Sequence, residues 1–459
     1  MSEPMPAADT LAPITGATPI RFSDTLPAEV DVVVIGGGVI GVFTALSAVR
    51  AGLSVALIEK GRVAGEQSSR NWGWLRQQGR DPDELPIMMD AVHLWKQADE
   101  QTGGKVGFVQ GGMSYIASTP ARLAELEQWL EVARQHNLDT RLLNKQQLNQ
   151  LIDQPGQGAH QWLGAIHTPS DARAEPWQAV PAVADLAQAE GVCIVEDCAA
   201  RALDSANGNV QAVLTERGRI RCSQVVIAAG AWSALFLRQH NIFIPQLTVR
   251  QSVAQTAPLP AVLQGNGVDE SVAFRRRNDG GYTLAVGDSN EHFIGPDSFR
   301  HFKVFLPMIR ENIRKTPLRL PVPAGYPDAW GTVRSWAADE ESPFERMRVL
   351  NPSPNMKTVE RMRQRFAARF PGLGVPTIRH AWAGMIDTMP DIVPIVDRVP
   401  GLANVILATG MSGHGMGIGP GFGQVIARML QAQDPGHDLS RFRFGRFSDG
   451  TKAVPGPHV

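Results

Sequence analysis

Cysteine, long apolar runs and an excess of either charge are what this 459-residue chain has least of. Its three cysteines (Cys193, Cys198, Cys222) stand singly in apolar surroundings. That excludes a disulfide framework and suits a reducing compartment. Lys plus Arg number 44 and Asp plus Glu 45, a net charge of −1, so there is neither the basic surplus that nucleic acid selects nor an acidic tail. No apolar stretch reaches the ~20 residues that span a bilayer. The 11 histidines do not pair with Cys or Asp at ligand spacing, and no metal is expected. Residues 1–28 are rich in Pro, Ala and Thr and lack the basic start and apolar centre of a signal peptide; a flexible lead-in and a cytoplasmic location are expected. What remains is 43% hydrophobic and 19% charged, an ordinary globular composition long enough for two domains.

The densest local information lies in DVVVIGGGVIG, Asp31–Gly41. A β-branched run enters a turn of three glycines and leaves it as a helix, completing GxGxxG. Glu59 closes a second apolar run 23 residues after Gly36. A β-α-β unit of this spacing sets a dinucleotide pyrophosphate on a helix N-terminus, with the acid on a ribose hydroxyl. Gly36 permits the turn, Gly38 lets backbone approach phosphate, and Gly41 lets helix and strand pack closely. Val39 and Ile40 open the helix beside them. The turn by itself does not choose between NAD and FAD.

Further along, Phe108–Ala117 reads as a strand and residues 119–150 as one helix. Pro176 opens another helix, which leads into the strand GVCIVEDCAA. A hairpin then feeds the buried strand SQVVIAAGAWS. The strands LTVRQSVAQTA, ESVAFRRR and GGYTLAVGD alternate in period two, the habit of a half-exposed antiparallel sheet. Residues 291–330 are expected to be irregular. Their amphipathic patch FKVFLPMIRENI is read first as core packing, with a membrane surface or an active-site cover as alternatives. The chain closes with ANVILATG, a glycine-dense turn and a helix. The order predicts an α/β protein, α+β overall: a Rossmann-type nucleotide domain over 29–105, 165–247 and 375–440, and an inserted antiparallel-sheet domain over 106–164 and 248–374. Residues 441–459 form a tail.

Four blocks in this order carry a family resemblance: VVVIGGGVIG…ALIEK, SSRNWG, VVIAAGAWS and AWAGMIDTMPDIVPIVD…VILATGMSGHGMGIGPGFG. The chain resembles the FAD-dependent amine and amino-acid oxidoreductases of the D-amino-acid-oxidase superfamily, glycine and sarcosine oxidases among them. Through AGEQSSR, DCAARAL and EESPFE it is most similar to bacterial L-amino-acid deaminases. The resemblance implies FAD. Gly36, Gly38 and Gly41 would cradle its pyrophosphate, with Glu59 on the ribose and Lys60 near the adenine. Ser68, Ser69, Arg70, Asn71 and Gly73 would run under the flavin. Ala229, Gly230, Trp232, Gly384 and Asp387 belong to the same blocks. Gly413, His414, Gly415 and Met416 would bring N–H donors to the ring's pyrimidine end. His414 stands beside the flavin in this picture, as a hydrogen-bonding residue or a general base.

For the substrate, many relatives clamp a carboxylate with an arginine just after the WAG tryptophan; here Trp382–Asp387 holds none. The deaminases use an arginine after two aromatics on a substrate-domain strand, and Ala273-Phe274-Arg275 occupies the matching place. Arg275 is therefore the expected anchor; the alternative is that it faces water with Arg277. Trp74 replaces a deaminase glutamine, and Trp72, Trp74 and Trp382 form either an aromatic cage or core. The implied reaction is hydride transfer from an amine Cα–H to flavin, then imine hydrolysis to a 2-oxo acid and ammonia, with oxygen or an electron-transfer partner as acceptor. Sarcosine- or dimethylglycine-type oxidation of N-alkyl amines is the alternative, and a non-catalytic flavoprotein assembly factor the second.

Overall fold

The computed structural model describes residues 13–153, 162–312, 316–451 and 454–456. The run Glu29–Ile35 forms the centre of an eight-stranded sheet. It lies parallel to Gly218–Ile227 on one side and Val55–Ile58 on the other, with Val33 opposite Val225 and Ala56. Cys193–Val195 extends the sheet beyond Val55–Ile58, and Leu402–Thr409 beyond Gly218–Ile227, both in parallel. Ile395–Val399 closes that edge antiparallel. Alternate residues feed two cores: Val32, Val34, Leu57 and Ile406 face one, and Val33, Ile35, Ala56 and Leu407 the other. Burial on both faces is why these strands are continuously apolar rather than alternating.

Helices Val39–Arg50, Pro176–Ala189, Leu85–Gln101 and Gly415–Leu430 pack together over one face. Glycine makes the closest of these approaches possible: a Cβ on Gly423 would sit 2.6 Å from the backbone of Phe43.

The second sheet has ten strands. Leu247–Thr256 pairs antiparallel with Tyr282–Ala285, Glu291–Phe293 and Ile378–Thr388. The sheet is mainly antiparallel, as expected, with two parallel pairs, Asn266–Val268 with Met113–Ala117 and Glu291–Phe293 with Leu318–Arg319. Its boundaries shift. Gly164–Thr168 pairs with Met113–Ala117, and Ile378–Thr388 joins the same sheet, so both ends of the inserted domain reach further than expected. Nor is the sheet half-exposed around residue 275. Helix Met356–Arg369 covers one side with Val359, Met362 and Phe366, while Arg275 and Arg277, on the other, are each 1% exposed.

Four local expectations are also corrected. The single helix over 119–150 is a helix at Pro120–Gln135, an edge strand at Arg141–Asn144 and a helix at Lys145–Leu151. Asn137, in the left-handed region at φ +55°, ends the first, and a capping box of Asn144 with Gln147 starts the second. The lead-in is packed from residue 13 onward: Phe22 is buried, Ser23 bridges to Val195, and the Arg21 N–H donates to Glu196 at 2.6 Å. Residues 1–12 lie outside the described residues. The C-terminal tail is packed as well, with Phe442 buried and Arg446 holding buried Asp391 at 2.8 Å. Residues 291–330 contain helices Pro296–Arg300 and Phe302–Asn312; Phe305 reaches the core and Phe302 is exposed, so core packing holds for one side only. No helix among the described residues is long and apolar enough to cross a membrane.

Candidate active site

The chain ends of the first sheet open on a cavity of about 310 Å³, large enough for a cofactor-sized ligand. At one end is the glycine turn. Gly36 has φ +112°, and a Cβ there would lie 2.4 Å from the Ala228 carbonyl oxygen. A Cβ on Gly41 would lie 1.9 Å from the Gly36 oxygen, so only glycine lets the helix leave this strand. The helix begins at Val39 with no side-chain cap from Gly38, and the Val39 N–H donates to Ser68 Oγ at 2.9 Å. Gly36, Gly38, Val39 and Ile40 line the cavity; Gly41 stands behind them. Glu59 accepts from the Gly37 and Gly61 N–H groups at 2.7 and 2.8 Å. Burial pushes its carboxyl up to about 7, against the opposing pull of Lys60 and the two N–H donors.

Lys60 lines the same end but is already engaged. Its Nζ donates to Glu66 at 2.7 Å and to the Met347 and Arg348 carbonyls, and it lies 4.3 Å over the Trp232 ring. Trp232 in turn donates to Glu66 at 3.0 Å. Ala229 and Gly230 complete this wall.

The SSRNWG segment crosses beneath. Ser68, Arg70 and Asn71 line the cavity, whereas Ser69 and Gly73 do not. Arg70 braces the segment by donating to Asn351 at 2.7 Å, Ile14 O at 2.9 Å and Gly65 O at 3.0 Å; burial lowers its guanidinium to about 10. Asn71 accepts from the Gly73 N–H at 2.8 Å. Trp72 and Trp74 then enter the cavity wall edge to face, centroids 4.7 Å apart. Trp382 does not join them: it is buried against Trp177 and donates to the Arg70 carbonyl at 3.0 Å. Of the two readings for Trp382, core is the one realised.

At the far end, Asp387 accepts from the Gly410 N–H at 2.8 Å and from Gln246 at 3.1 Å, holding the glycine-dense turn in place. Its carboxyl is raised by burial. Gly384, Asp387, Gly413, His414, Gly415 and Met416 all line the cavity. Helix Gly415–Leu430 starts there with no side-chain cap, so its free N–H groups and positive dipole end meet the cavity wall. His414 Nδ1 lies 3.1 Å from Glu84. Burial, then Arg80, depresses the imidazole to about 4. With His414 uncharged, what holds Glu84 low despite its burial is the hydrogen bond from His414 and the charge of Arg80. At neutral pH the pair is therefore a neutral imidazole donating Nδ1–H to a carboxylate.

Arg275 is the expectation that the geometry relocates. Its fork grips Glu175, Nη1 and Nη2 each 3.0 Å from a carboxylate oxygen, and also donates to Thr283 at 3.1 Å and Ala174 O at 2.9 Å. It does not line the cavity. It backs the Trp72–Trp74 loop, where a Cβ on Gly73 would lie 2.9 Å from its Cζ. Of the arginines that do line the cavity (Arg62, Arg70, Arg76, Arg80 and Arg348), Arg76 and Arg80 follow the Trp72–Trp74 loop directly, each 2% exposed. Gln251 and Asn290 line it from the second sheet.

A family model described as FAD dependent oxidoreductase matches residues 31–429. The chain belongs to this family. It is 27% identical to the L-amino acid deaminase from Proteus myxofaciens, whose structure in complex with anthranilate superposes with a TM-score of 0.88 over 94% of this chain and 97% of that one. It is 23% identical to mouse mitochondrial dimethylglycine dehydrogenase over 95% of this chain and 46% of that protein. It is 22% identical to a monomeric sarcosine oxidase from a Bacillus species, over 91% and 96%. The chain spans under half the length of the mitochondrial dehydrogenases it matches.

The residues of this FAD-dependent oxidoreductase fit its cofactor. Two uncapped helix N-termini, at Val39 and Gly415, face one cavity, one suited to a pyrophosphate and the other to the electron-rich end of a flavin. Glu59 stands beside the first, where a ribose hydroxyl would bind. Arg76, Arg80, Glu84, Gln251 and Asn290 were not legible as site residues in the sequence. The spacing of Arg76 and Arg80 within an unusually Arg- and Trp-rich loop was the one signal for that pair.

Proposed function

We propose that this chain oxidises an amino acid or closely related amine, yielding an imine that hydrolyses to a 2-oxo acid and ammonia. The observation that carries this reading is the single cavity joining the glycine turn to the wall of Trp72, Trp74 and His414. Bound FAD supplies the two-electron acceptor for the amine Cα–H. Gly36, Gly38 and Glu59 would hold its adenosine half, and Ser68, Asn71, Gly413, Gly415 and Met416 its flavin half. The chain's own residues then orient the amine and exclude water. Trp72 and Trp74 form a rigid apolar wall, and geometry supplies most of the rate. His414, neutral and donating through Nδ1 to Glu84, keeps Nε2 as an acceptor and takes up no second proton at neutral pH. Its role in this proposal is to hydrogen-bond and position, with no obligatory acid step.

The similarity to a deaminase that holds anthranilate, an aromatic amino acid, supports this first reading. A second reading, oxidation of an N-alkyl amine, is supported by the paired indoles, which suit an alkylated cation. The three unpaired cysteines support a reducing, cytoplasmic location. The test is anaerobic mixing of FAD-loaded protein with a panel of amines while following the flavin absorbance. Bleaching by a primary amino acid with release of ammonia is expected. Bleaching by N-methyl amines alone, with formaldehyde released, selects the second reading. Absence of bleaching across the panel rejects both.

A further inference from the structure

Of the buried hydrogen-bond donors without partners in the described structure, five cluster around residues 72–80. The buried side-chain atoms Trp72 Nε1, Trp74 Nε1, Gln78 Nε2, Arg80 Nη1 and Tyr115 Oη have no hydrogen-bond partner. Each can donate, and four of the five lie within residues 72–80. Leaving a buried polar group unpaired costs about 1–3 kcal/mol, so such a cluster favours a ligand that accepts its hydrogen bonds. Tyr115 is tied to it closely: a Cβ on Gly79 would lie 2.9 Å from Tyr115 Oη and 3.2 Å from Arg76 Nη1.

The charges agree with the donors. Arg76 and Arg80 are buried and line the cavity. Arg76 donates to the Gln78 carbonyl and lies over the Tyr115 ring. Arg80 donates from Nε to the Arg76 carbonyl at 3.2 Å and, at a long 3.4 Å, from Nη2 to the His414 carbonyl. Its nearest carboxylate, Glu84, is 3.8 Å from Nη1 and committed to His414. Asp171 is taken up by the Gln77 and Gln78 N–H groups and the Gln77 amide. The Nη1 and Nη2 groups of Arg275, by contrast, are filled by Glu175, and only its Nε lacks a partner.

We propose that Arg76 and Arg80, with the indole N–H groups of Trp72 and Trp74, bind a carboxylate of the substrate, that Tyr115 backs Arg76, and that Arg275 does not touch the carboxylate. A planar carboxylate offers four lone-pair sites to two guanidinium forks, which gives both charge balance and direction. The proposal rests on the oxidation reading for what the site is for, and names the substrate class as an amine carrying a carboxylate group. Arg275 becomes a positioning residue that supports the loop from behind.

The test needs no turnover. FAD-loaded protein is titrated with benzoate and, separately, benzamide, following the perturbation of the flavin spectrum. Benzoate binding at least tenfold tighter than benzamide is expected. Arg76→Gln and Arg80→Gln should each weaken benzoate at least tenfold with FAD retained, Arg76→Lys should recover part of the loss, and Arg275→Gln should change it less than threefold. Equal affinity for the two probes in the unmodified protein overturns the proposal, and that arm stands even where a variant loses FAD. So does a tenfold loss in Arg275→Gln with Arg76→Gln and Arg80→Gln unchanged. If no amine bleaches the flavin but benzoate binds through Arg76 and Arg80, the oxidation reading fails and the anion site stands. If amines are oxidised with no preference for a carboxylate, the reverse holds.

Discussion

Glu175→Gln is the substitution that separates a structural from a substrate-binding Arg275. The Arg275–Glu175 pair is bidentate at 3.0 Å, with side chains 1% and 4% exposed. Glu175 also accepts from the Asn278 N–H at 2.9 Å and lies 3.8 Å from Arg173. Removing its charge leaves two buried guanidinium groups facing a neutral amide. Breaking a buried pair from one side costs about 3–5 kcal/mol, because the remaining charge stays desolvated. The pair itself contributes much less, so Glu175→Gln/Arg275→Met should be milder than the sum of its single changes. The difference should appear as a coupling energy of about 0.5–3 kcal/mol. Denaturant midpoints measured with FAD at saturation give these values on one scale. A Glu175→Gln protein within about 1 kcal/mol of the unmodified one would refute the reasoning. So would an Arg275→Gln protein of normal stability whose KM for a carboxylate substrate rises a hundredfold. Either result would return Arg275 to the substrate.

Gly41→Ala should cost at least tenfold in FAD affinity, since its Cβ would meet the Gly36 oxygen at 1.9 Å. Gly52→Ala, at φ +86° with nothing within 4 Å of the added carbon, should cost about 1 kcal/mol of stability and leave FAD affinity alone; fluorescence of released FAD distinguishes them. Phe22→Ala, by emptying a site that is 1% exposed, should destabilise by about 3–5 kcal/mol in thermal unfolding; an effect below 1 kcal/mol would mean the lead-in does not pack. His414, lowered from 6.5 to about 4, binds its proton more weakly folded than unfolded. Its contribution is therefore complete above pH 6.5 and is lost as the pH falls toward 4, up to roughly 3 kcal/mol at 1.36 kcal/mol per unit. Glu59 and Asp171, raised to about 7, act in the opposite sense, since their stabilisation is lost as the pH rises through 7. The comparison that isolates His414 is thus unmodified protein against His414→Gln: their stability gap should shrink on acidification, and a pH-independent gap would contradict the assignment.

Several features could be read ahead because they are local. The turn at Gly36–Gly41 needs only the chain's own sterics, and Glu59 follows from the repeat of a β-α-β unit. The start of the helix at Pro120 is local as well: Thr119 Oγ1 accepts from the Arg122 N–H at 3.2 Å. The break at Asn137 was equally local yet hidden, because apolar residues recur at helical spacing on both sides of it. Leu143 repays leaving the helix by burying itself against the strand Gly164–Thr168, a partner some twenty residues away. Period two in ESVAFRRR named the faces of the strand correctly. It could not say that the face carrying Arg275 and Arg277 is covered, since the covering loop comes from residues 72–74 and 173–175.

What the sequence by itself determined is the cofactor end: backbone conformations that only glycine permits, a helix aimed by them and a carboxylate at fixed distance. These depend on contacts a few residues apart within one supersecondary unit. Tertiary structure decided the substrate end. Whether an arginine is free to take a ligand depends on which carboxylate reaches it first, and Glu175, 100 residues away in the chain, reaches Arg275. Glu84, 3.8 Å from Arg80, is committed to His414, and no carboxylate fills Arg76 or Arg80 in that way. Their availability is a property of the assembled cavity, where burial makes an unpaired donor costly and a carboxylate the group that satisfies it.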